Sequence, residues 1–231
     1  MFSQAKEDSV KVPCFWIISY LSELETKDII EDIVKSDLVN LICKDYLIES
    51  ETVVPAVRII GNLAGNEDIF VEYLINNDVL NFFRKIINIE SDCLRKEMYW
   101  AISNLTATCK NAIMKFLDDD LIIPISKKLL HSNVYYIKEE VLFFIGGIAS
   151  NADYLIAKKI MDWKLDEDLV LILKENKNPD LLSLVFGIIY ELISLSLFTK
   201  KETGKINFNH ILFLNYYVNF CLKIFLCFRP R

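Results

Sequence analysis

Two stretches decide the fold: VRIIGNLAG, Val57–Gly65, and YWAISNLTA, Tyr99–Ala107. Laid over one another, they place Arg58 on Trp100 and Asn62 on Asn104, 42 residues apart in both cases. Working outward in the same register, FWIISYLS from Phe15 puts Trp16 and Tyr20 at these two positions. LFFIGGIAS from Leu142 puts Phe143 and Gly147 there, and a further step reaches Phe186 and Tyr190 in VFGIIYELIS. Five copies on one beat make this a repeat protein, and self-similarity at such a period outranks any local reading of structure.

Within a copy the apolar residues keep the 3.6-residue period of a helix. Val54, Val57, Ile60 and Leu63 fall on one broad face. Asp37, Asp78 and Asp120 each follow an apolar run and precede another (DLVNLIC, DVLNFFRKII and DLIIPISKKLL), so they are predicted to start helices as N-caps. Polar loops recur at Glu49-Ser50-Glu51, Glu90-Ser91-Asp92 and His131-Ser132-Asn133. Each unit therefore reads as helix, Asp break, helix, polar loop, then a longer helix carrying the aromatic. One unit cannot bury its apolar face alone, whereas stacked neighbours share a continuous core. A period of about 40–47 residues belongs to armadillo and HEAT arrays. The fold class is thus all-α, an armadillo-type right-handed superhelical solenoid. Residues 1–12 read as a non-repeat start, 13–197 as four to five repeats with the first and last incomplete, and 198–231 as an apolar non-repeat tail.

Composition narrows the function classes. The 231 residues are 53% hydrophobic with 6 Gly and 5 Pro, which suits a helical core and not a turn-rich β fold. A formal charge of −6 argues against nucleic-acid binding, which needs a basic surface to displace counterions from phosphates. Six cysteines (Cys14, Cys43, Cys93, Cys109, Cys221 and Cys227) form no CxxC pair, and His131 and His210 are the two histidines. No zinc-ligand spacing results, and the thiols read as reduced and mostly buried. There is no phosphate loop, nucleophile elbow or metal constellation, so neither an enzyme nor a cofactor is expected. Residues 206–228 are strongly apolar. However, Asn207, Asn209, His210, Asn215, Asn219 and Lys223 interrupt the run of about 20 apolar residues that a membrane anchor needs. Met1–Val10 has no signal-peptide character.

The phrases VVPAVRIIGNLAG and RKEMYWAISNLTA resemble consecutive repeats of the importin-alpha family, down to their irregularities. A repeat with Trp-x-x-x-Tyr (Trp16, Tyr20) precedes one with Arg in place of Trp (Arg58, Asn62), and Trp-x-x-x-Asn follows (Trp100, Asn104). The resemblance covers Pro13 to Leu197 and implies a nuclear-import adaptor, working between cytoplasm and nucleus, that binds Lys/Arg-rich localisation peptides. It also implies importin-beta as a partner, a basic arm that binds it, and ten repeats. The chain starts within the fifth of these, so the arm has no counterpart here and the groove is the minor one.

The geometry behind Trp-x-x-x-Asn is simple. Residues i and i+4 share a helix face, helices pack about 8–10 Å apart, and an extended peptide advances about 3.3 Å per residue. One Asn per repeat then meets the peptide backbone roughly every third residue, and its amide can both donate and accept. Aromatic walls form slots in which a Lys or Arg side chain stacks.

The resemblance assigns Asn62 and Asn104 as backbone clamps, Trp100 and Phe143 as slot walls, and Glu97 and Glu140 as charge-selecting acids. Arg58, standing where a wall would be, contacts or redirects the cargo. Asp68 matches a further acidic position, although the loop before it is one residue shorter. Gly147 stands where the next clamp would be, and Phe186 and Tyr190 provide none. A single short basic cluster is therefore the expected ligand. Phe15, Ile17, Ile18 and Leu21 are expected to lie at an open end of the stack and to favour self-association. The alternative reading is an armadillo interaction scaffold, or a non-functional fragment, without import activity.

Overall fold

The computed structural model describes residues 8–24, 26–44 and 51–203. The apolar stretch 206–228 with Cys221 and Cys227, and Glu49 and Ser50 of the first polar loop, lie outside them. The described residues form helices joined by short connections, in two compact units divided after Ile148. A lone helix α1 (Asp8–Ser22) comes first. Three helices per repeat then follow: α2 (Lys27–Lys35), α3 (Leu38–Cys43) and α4 (Val53–Ala64), and next α5 (Asp68–Asn76), α6 (Val79–Ile86) and α7 (Asp92–Leu105). The last two triplets are α8 (Lys110–Leu117), α9 (Ile122–Leu129) and α10 (Tyr135–Ser150), then α11 (Tyr154–Asp162), α12 (Leu165–Glu175) and α13 (Pro179–Thr203). Every aromatic marker of the 42-residue beat falls on the lone α1 or on the third helix of a triplet.

In the first unit like packs on like. Third helix α4 lies against α1 and α7, second helix α3 against α6, and first helix α5 against α8. Polar bonds repeat the same step. The Tyr73 hydroxyl on α5 donates to the Val34 carbonyl of α2 (3.1 Å), and the Thr108 hydroxyl donates to Asp68 at the start of α5. The core is continuous. Phe82, Phe83, Phe116, Phe144 and Tyr99 form a chain of ring contacts 5.6–6.4 Å apart across α6, α8, α10 and α7. Each of these rings is fully buried, and burial of one such side chain stabilises the fold by about 1.5–3 kcal/mol. The buried Tyr99 hydroxyl is satisfied by Ser126 Oγ at 2.9 Å. Ser126 in turn donates to the Ile122 carbonyl, which leaves Tyr99 as the donor of the pair.

In the second unit α11 and α12 both pack on α13. Leu165, Leu169, Ile172, Leu181, Val185 and Ile188 are buried there. Helix α13 starts conventionally, with Asn178 Oδ1 accepting from the Asp180 and Leu181 amides and Pro179 at the first helical position.

The aspartate breaks fall at the expected junctions but act differently from expectation. Asp37 and Asp78 occupy N-cap positions without a side-chain cap bond. Ser36 Oγ accepts from the Leu38 amide instead, while Asp37 takes the side-chain amide of Asn40. Asp78 makes the turn in the left-handed region (φ 63°), which Asp tolerates better than most residues. At the third junction the N-cap position is Leu121, and the carboxylate that accepts from the Leu121 and Ile122 amides belongs to Asp119, two residues earlier, and not to Asp120. Ser91 does cap α7, through the Leu94 amide.

Two further expectations are corrected. Phe15 points inward and is fully buried, whereas Ile17 and Leu21 are exposed and Ile18 half-buried. Cys43 and Cys109 are buried, Cys14 is half-buried, and Cys93 is exposed. Burial pushes the Cys43 thiol up to about 12, so it is inert at neutral pH.

Candidate functional site

Helix α4 is buried almost all round. Its residues that keep solvent contact are Val54, Arg58 and Asn62, spaced i, i+4, i+8. Such a spacing makes a single stripe on one helix face. On α7 the matching stripe holds Glu97, Trp100, Ser103 and Asn104, and on α10 it holds Glu140, Phe143, Gly146 and Gly147. On α1 it holds Trp16 and Tyr20, whose rings stack at 5.9 Å. All seven sequence-assigned residues therefore lie on the open stripes of neighbouring third helices. On α13, within the second unit, Phe186 and Tyr190 are likewise exposed.

The two asparagines make one repeated bond. Asn62 Nδ2 donates to the Ser19 carbonyl of α1 (3.1 Å), and Asn104 Nδ2 donates to the Gly61 carbonyl of α4 (3.0 Å). Each reaches 43 residues back, to the residue just before its counterpart on the preceding stripe, Tyr20 for Asn62 and Asn62 for Asn104. Asn62 spends its second N–H on Ser22 Oγ at 2.8 Å. Within the described residues neither Oδ1 accepts a hydrogen bond. Asn62 can thus offer a ligand an acceptor but no donor, whereas Asn104 keeps both. The sequence expectation that each amide would both donate to a ligand and accept from it meets one obstacle at Asn62, where both N–H groups are already taken within the protein.

The residue before each Asn position is small: Ser19, Gly61, Ser103 and Gly146. At Gly61 the reason is direct. A Cβ there would lie 2.2 Å from Trp100 Cζ3, so the indole lies on bare backbone. This small position was readable in the sequence at the same 42-residue beat. The consequence is that α4 and α7 approach closely, while α7 and α10 meet through the Tyr99 and Phe144 rings. Phe143 stays 45% exposed beside the wider gap.

The charged groups divide into two sets. The Arg58 guanidinium bonds Glu23, just past α1, through Nη2, and it reaches Glu97 on α7 at 3.8 Å through Nη1. Its Nε is buried with no hydrogen-bond partner. Glu140, by contrast, sits near Lys96, Glu139 and Glu97 with no ion pair of its own in the described residues. Burial raises its carboxyl to about 7; Lys96 opposes the shift, and Glu139 and Glu97 add to it. Asp68 is exposed and engaged by the Thr108 hydroxyl at the first-helix step. Among the described residues no group of His, Cys, Asp and Glu could hold a metal ion, and no helix is long and apolar enough to cross a membrane.

Stacked three-helix repeats, with an exposed stripe on the third helices and an Asn stitching α4 to α1 and α7 to α4, define an armadillo-repeat protein. The solved structures agree in fold. A designed armadillo repeat protein in complex with the peptide (KR)4 matches with a TM-score of 0.70 at 17% identity, over 94% of this chain and 95% of that one. A computationally designed armadillo repeat protein for modular peptide recognition gives 0.74 at 16%, with the same coverage. An engineered protein of known crystal structure also gives 0.74, at 18% identity over 84% of this chain and 77% of that one.

Within the armadillo class the sequence is importin-alpha-like. It is 27% identical over 124 residues to importin subunit alpha-1a of Oryza sativa subsp. japonica. That alignment takes in 52% of this chain and spans 23% of the length of the relative. No family model matches the chain.

Proposed function

We propose that this chain is a peptide-binding adaptor that takes an extended Lys/Arg-rich segment along the stripes of α1, α4, α7 and α10, as in the capture of nuclear-localisation cargo. The observation that carries this reading is the repeated Asn bond. It fixes the Asn62 and Asn104 side chains while leaving an acceptor at each repeat step, which suits a ligand recognised through its backbone. Trp100 and Phe143 then supply stacking, and Glu140 charge selection, for a cationic side chain, while Glu97 faces Arg58. The importin-alpha-like sequence supports a role in nuclear import, with cytoplasm and nucleus as the proposed compartments and importin-beta as the proposed partner of the longer protein. A designed armadillo repeat protein of similar fold is in complex with the peptide (KR)4, which supports a basic peptide as the ligand.

The test is a fluorescence-anisotropy titration with a labelled Lys/Arg-rich peptide. Asn104→Ala with Trp100→Ala removes one hydrogen-bonding clamp and one ring, and is expected to cost about 2–3 kcal/mol, roughly 30- to 150-fold in Kd. Gly147→Asn should act in the opposite sense. A Cβ at Gly147 meets nothing within 4 Å, so the missing clamp can be built without a clash and should tighten binding by roughly 3- to 10-fold. Unchanged affinity in both variants would refute the groove reading.

A second reading, an armadillo scaffold for a non-basic partner, is favoured by one observation: Arg58 already neutralises Glu23 and Glu97. It predicts that the native chain ignores basic peptides altogether while remaining folded.

The pH dependence separates the two readings. A cation needs Glu140 ionised, so basic-peptide affinity should rise as pH climbs through about 7 and then level off. Stability runs the other way. The folded chain holds this proton more tightly than the unfolded one, so the stabilisation is full below 4.5 and fades as pH rises toward about 7. Titrations between pH 6 and 8 should show the rising affinity in the native chain and a flat profile in Glu140→Gln.

A further inference from the structure

Between neighbouring third helices there are three positions at which a peptide cation could insert, and they are not equivalent. Between α1 and α4 the Arg58 guanidinium lies against Glu23. Between α4 and α7 the Trp100 indole lies on the Gly61 backbone, and Glu97 faces the other arm of Arg58 at 3.8 Å. Between α7 and α10 Glu140 makes no ion pair among the described residues, with Lys96 as its neighbouring cation, and Phe143 is open to solvent. Arg58 is also poorly placed to leave. Only 27% of its side chain is exposed, and its Nε is buried without a partner.

We infer that Arg58 is a built-in occupant of the groove. It fills with the protein's own guanidinium the acids that would otherwise select a second cation, so the chain recognises an extended peptide with one anchoring Lys or Arg beside Phe143 and Glu140. This rests on the peptide-binding reading and deepens it: cargo with two separated basic clusters gains nothing here over cargo with one. A guanidinium is suited to the task, because its fork can serve two carboxylates at once and it stays charged at any physiological pH.

The test uses the full chain and Gly/Ser-based peptides. One carries a single central Arg; two others add a second Arg about six residues to either side, the span of two repeat steps at about 10 Å each and about 3.3 Å per residue. In the native chain the second Arg should change Kd by less than about threefold at either end. In Arg58→Gln the acids are released, and one of the two longer peptides should gain at least about tenfold. Glu23→Gln provides an independent arm, because Glu23 is exposed and its loss spares the core. It leaves Arg58 unbalanced, so the second Arg should weaken binding, a change of opposite sign.

An equal gain in the native chain and Arg58→Gln, or no gain in a folded Arg58→Gln, overturns the inference while leaving peptide binding intact. Failure of the native chain to bind the single-Arg peptide overturns the peptide-binding reading itself, and the inference with it.

Discussion

Gly61→Ala is expected to destabilise the protein by up to about 2 kcal/mol, although alanine is the better helix former. Two effects of opposite sign compete at this site. In a helix interior, Ala is favoured over Gly by about 1 kcal/mol. Against that, the new methyl would stand 2.2, 2.8 and 2.9 Å from Cζ3, Cε3 and Cη2 of Trp100, all far inside van der Waals contact. Trp100 is rigid and sits between α4 and α7, the most closely packed pair of helices. It can yield only by lifting off the α4 backbone or by forcing the two helices apart. Overpacking of this kind costs about 1–3 kcal/mol and sometimes more, so the clash wins. Urea denaturation of Gly61→Ala, Trp100→Ala and the double variant measures it directly. With the indole gone, Gly61→Ala should become neutral or stabilising by about 0.5–1 kcal/mol. A single variant as stable as the native chain would mean that the indole does not rest on Gly61.

How much of this could be read in the chain itself depends on the range of each interaction. The helical triplets and their stacking follow from residues that recur at 42 or 43 steps, because burial of one face per helix writes itself into the sequence as periodicity. The stripe of candidate ligand contacts was legible for the same reason. Arg58, Trp100 and Phe143 occupy one phase, and Asn62, Asn104 and Gly147 the next. Bonds made across repeats were not legible. Arg58 meets Glu23, 35 residues earlier, and Glu97 on the following third helix, and no local pattern tells a guanidinium which carboxylate it will find. The Asn62 donors were likewise assigned to a ligand, when Ser19 and Ser22 of α1 take them. Capping was misread by a single residue. Asp119 and Asp120 are adjacent and chemically identical in sequence, and only the backbone direction decides which one faces the amides of α9.

That one-residue difference yields the second large expected effect. Asp119→Ala should cost about 3 kcal/mol, whereas Asp120→Ala should leave the urea midpoint little changed. The Asp119 side chain is only 2% exposed and serves three donors: the amides of Leu121 (2.9 Å) and Ile122 (2.7 Å), and Arg84 Nη1 on α6 (2.6 Å). Losing a helix cap costs about 1 kcal/mol. The Ile122 amide is buried, and leaving such a donor unsatisfied adds about 1–3 kcal/mol. The contact with Arg84 matters for a different reason. It ties the second repeat to the α8–α9 junction of the third, so its loss loosens a step of the stack. Asp120 also touches Arg84 at 2.6 Å, but it is 83% exposed, and water replaces what it offers. Asp119→Asn divides the effect. It keeps an oxygen for the two amides but gives up the charge opposite Arg84, so it should fall between the native chain and Asp119→Ala. If Asp120→Ala proved the more damaging of the neighbouring substitutions, the cap would have been placed on the wrong residue and the junction between the second and third repeats would need a different anchor.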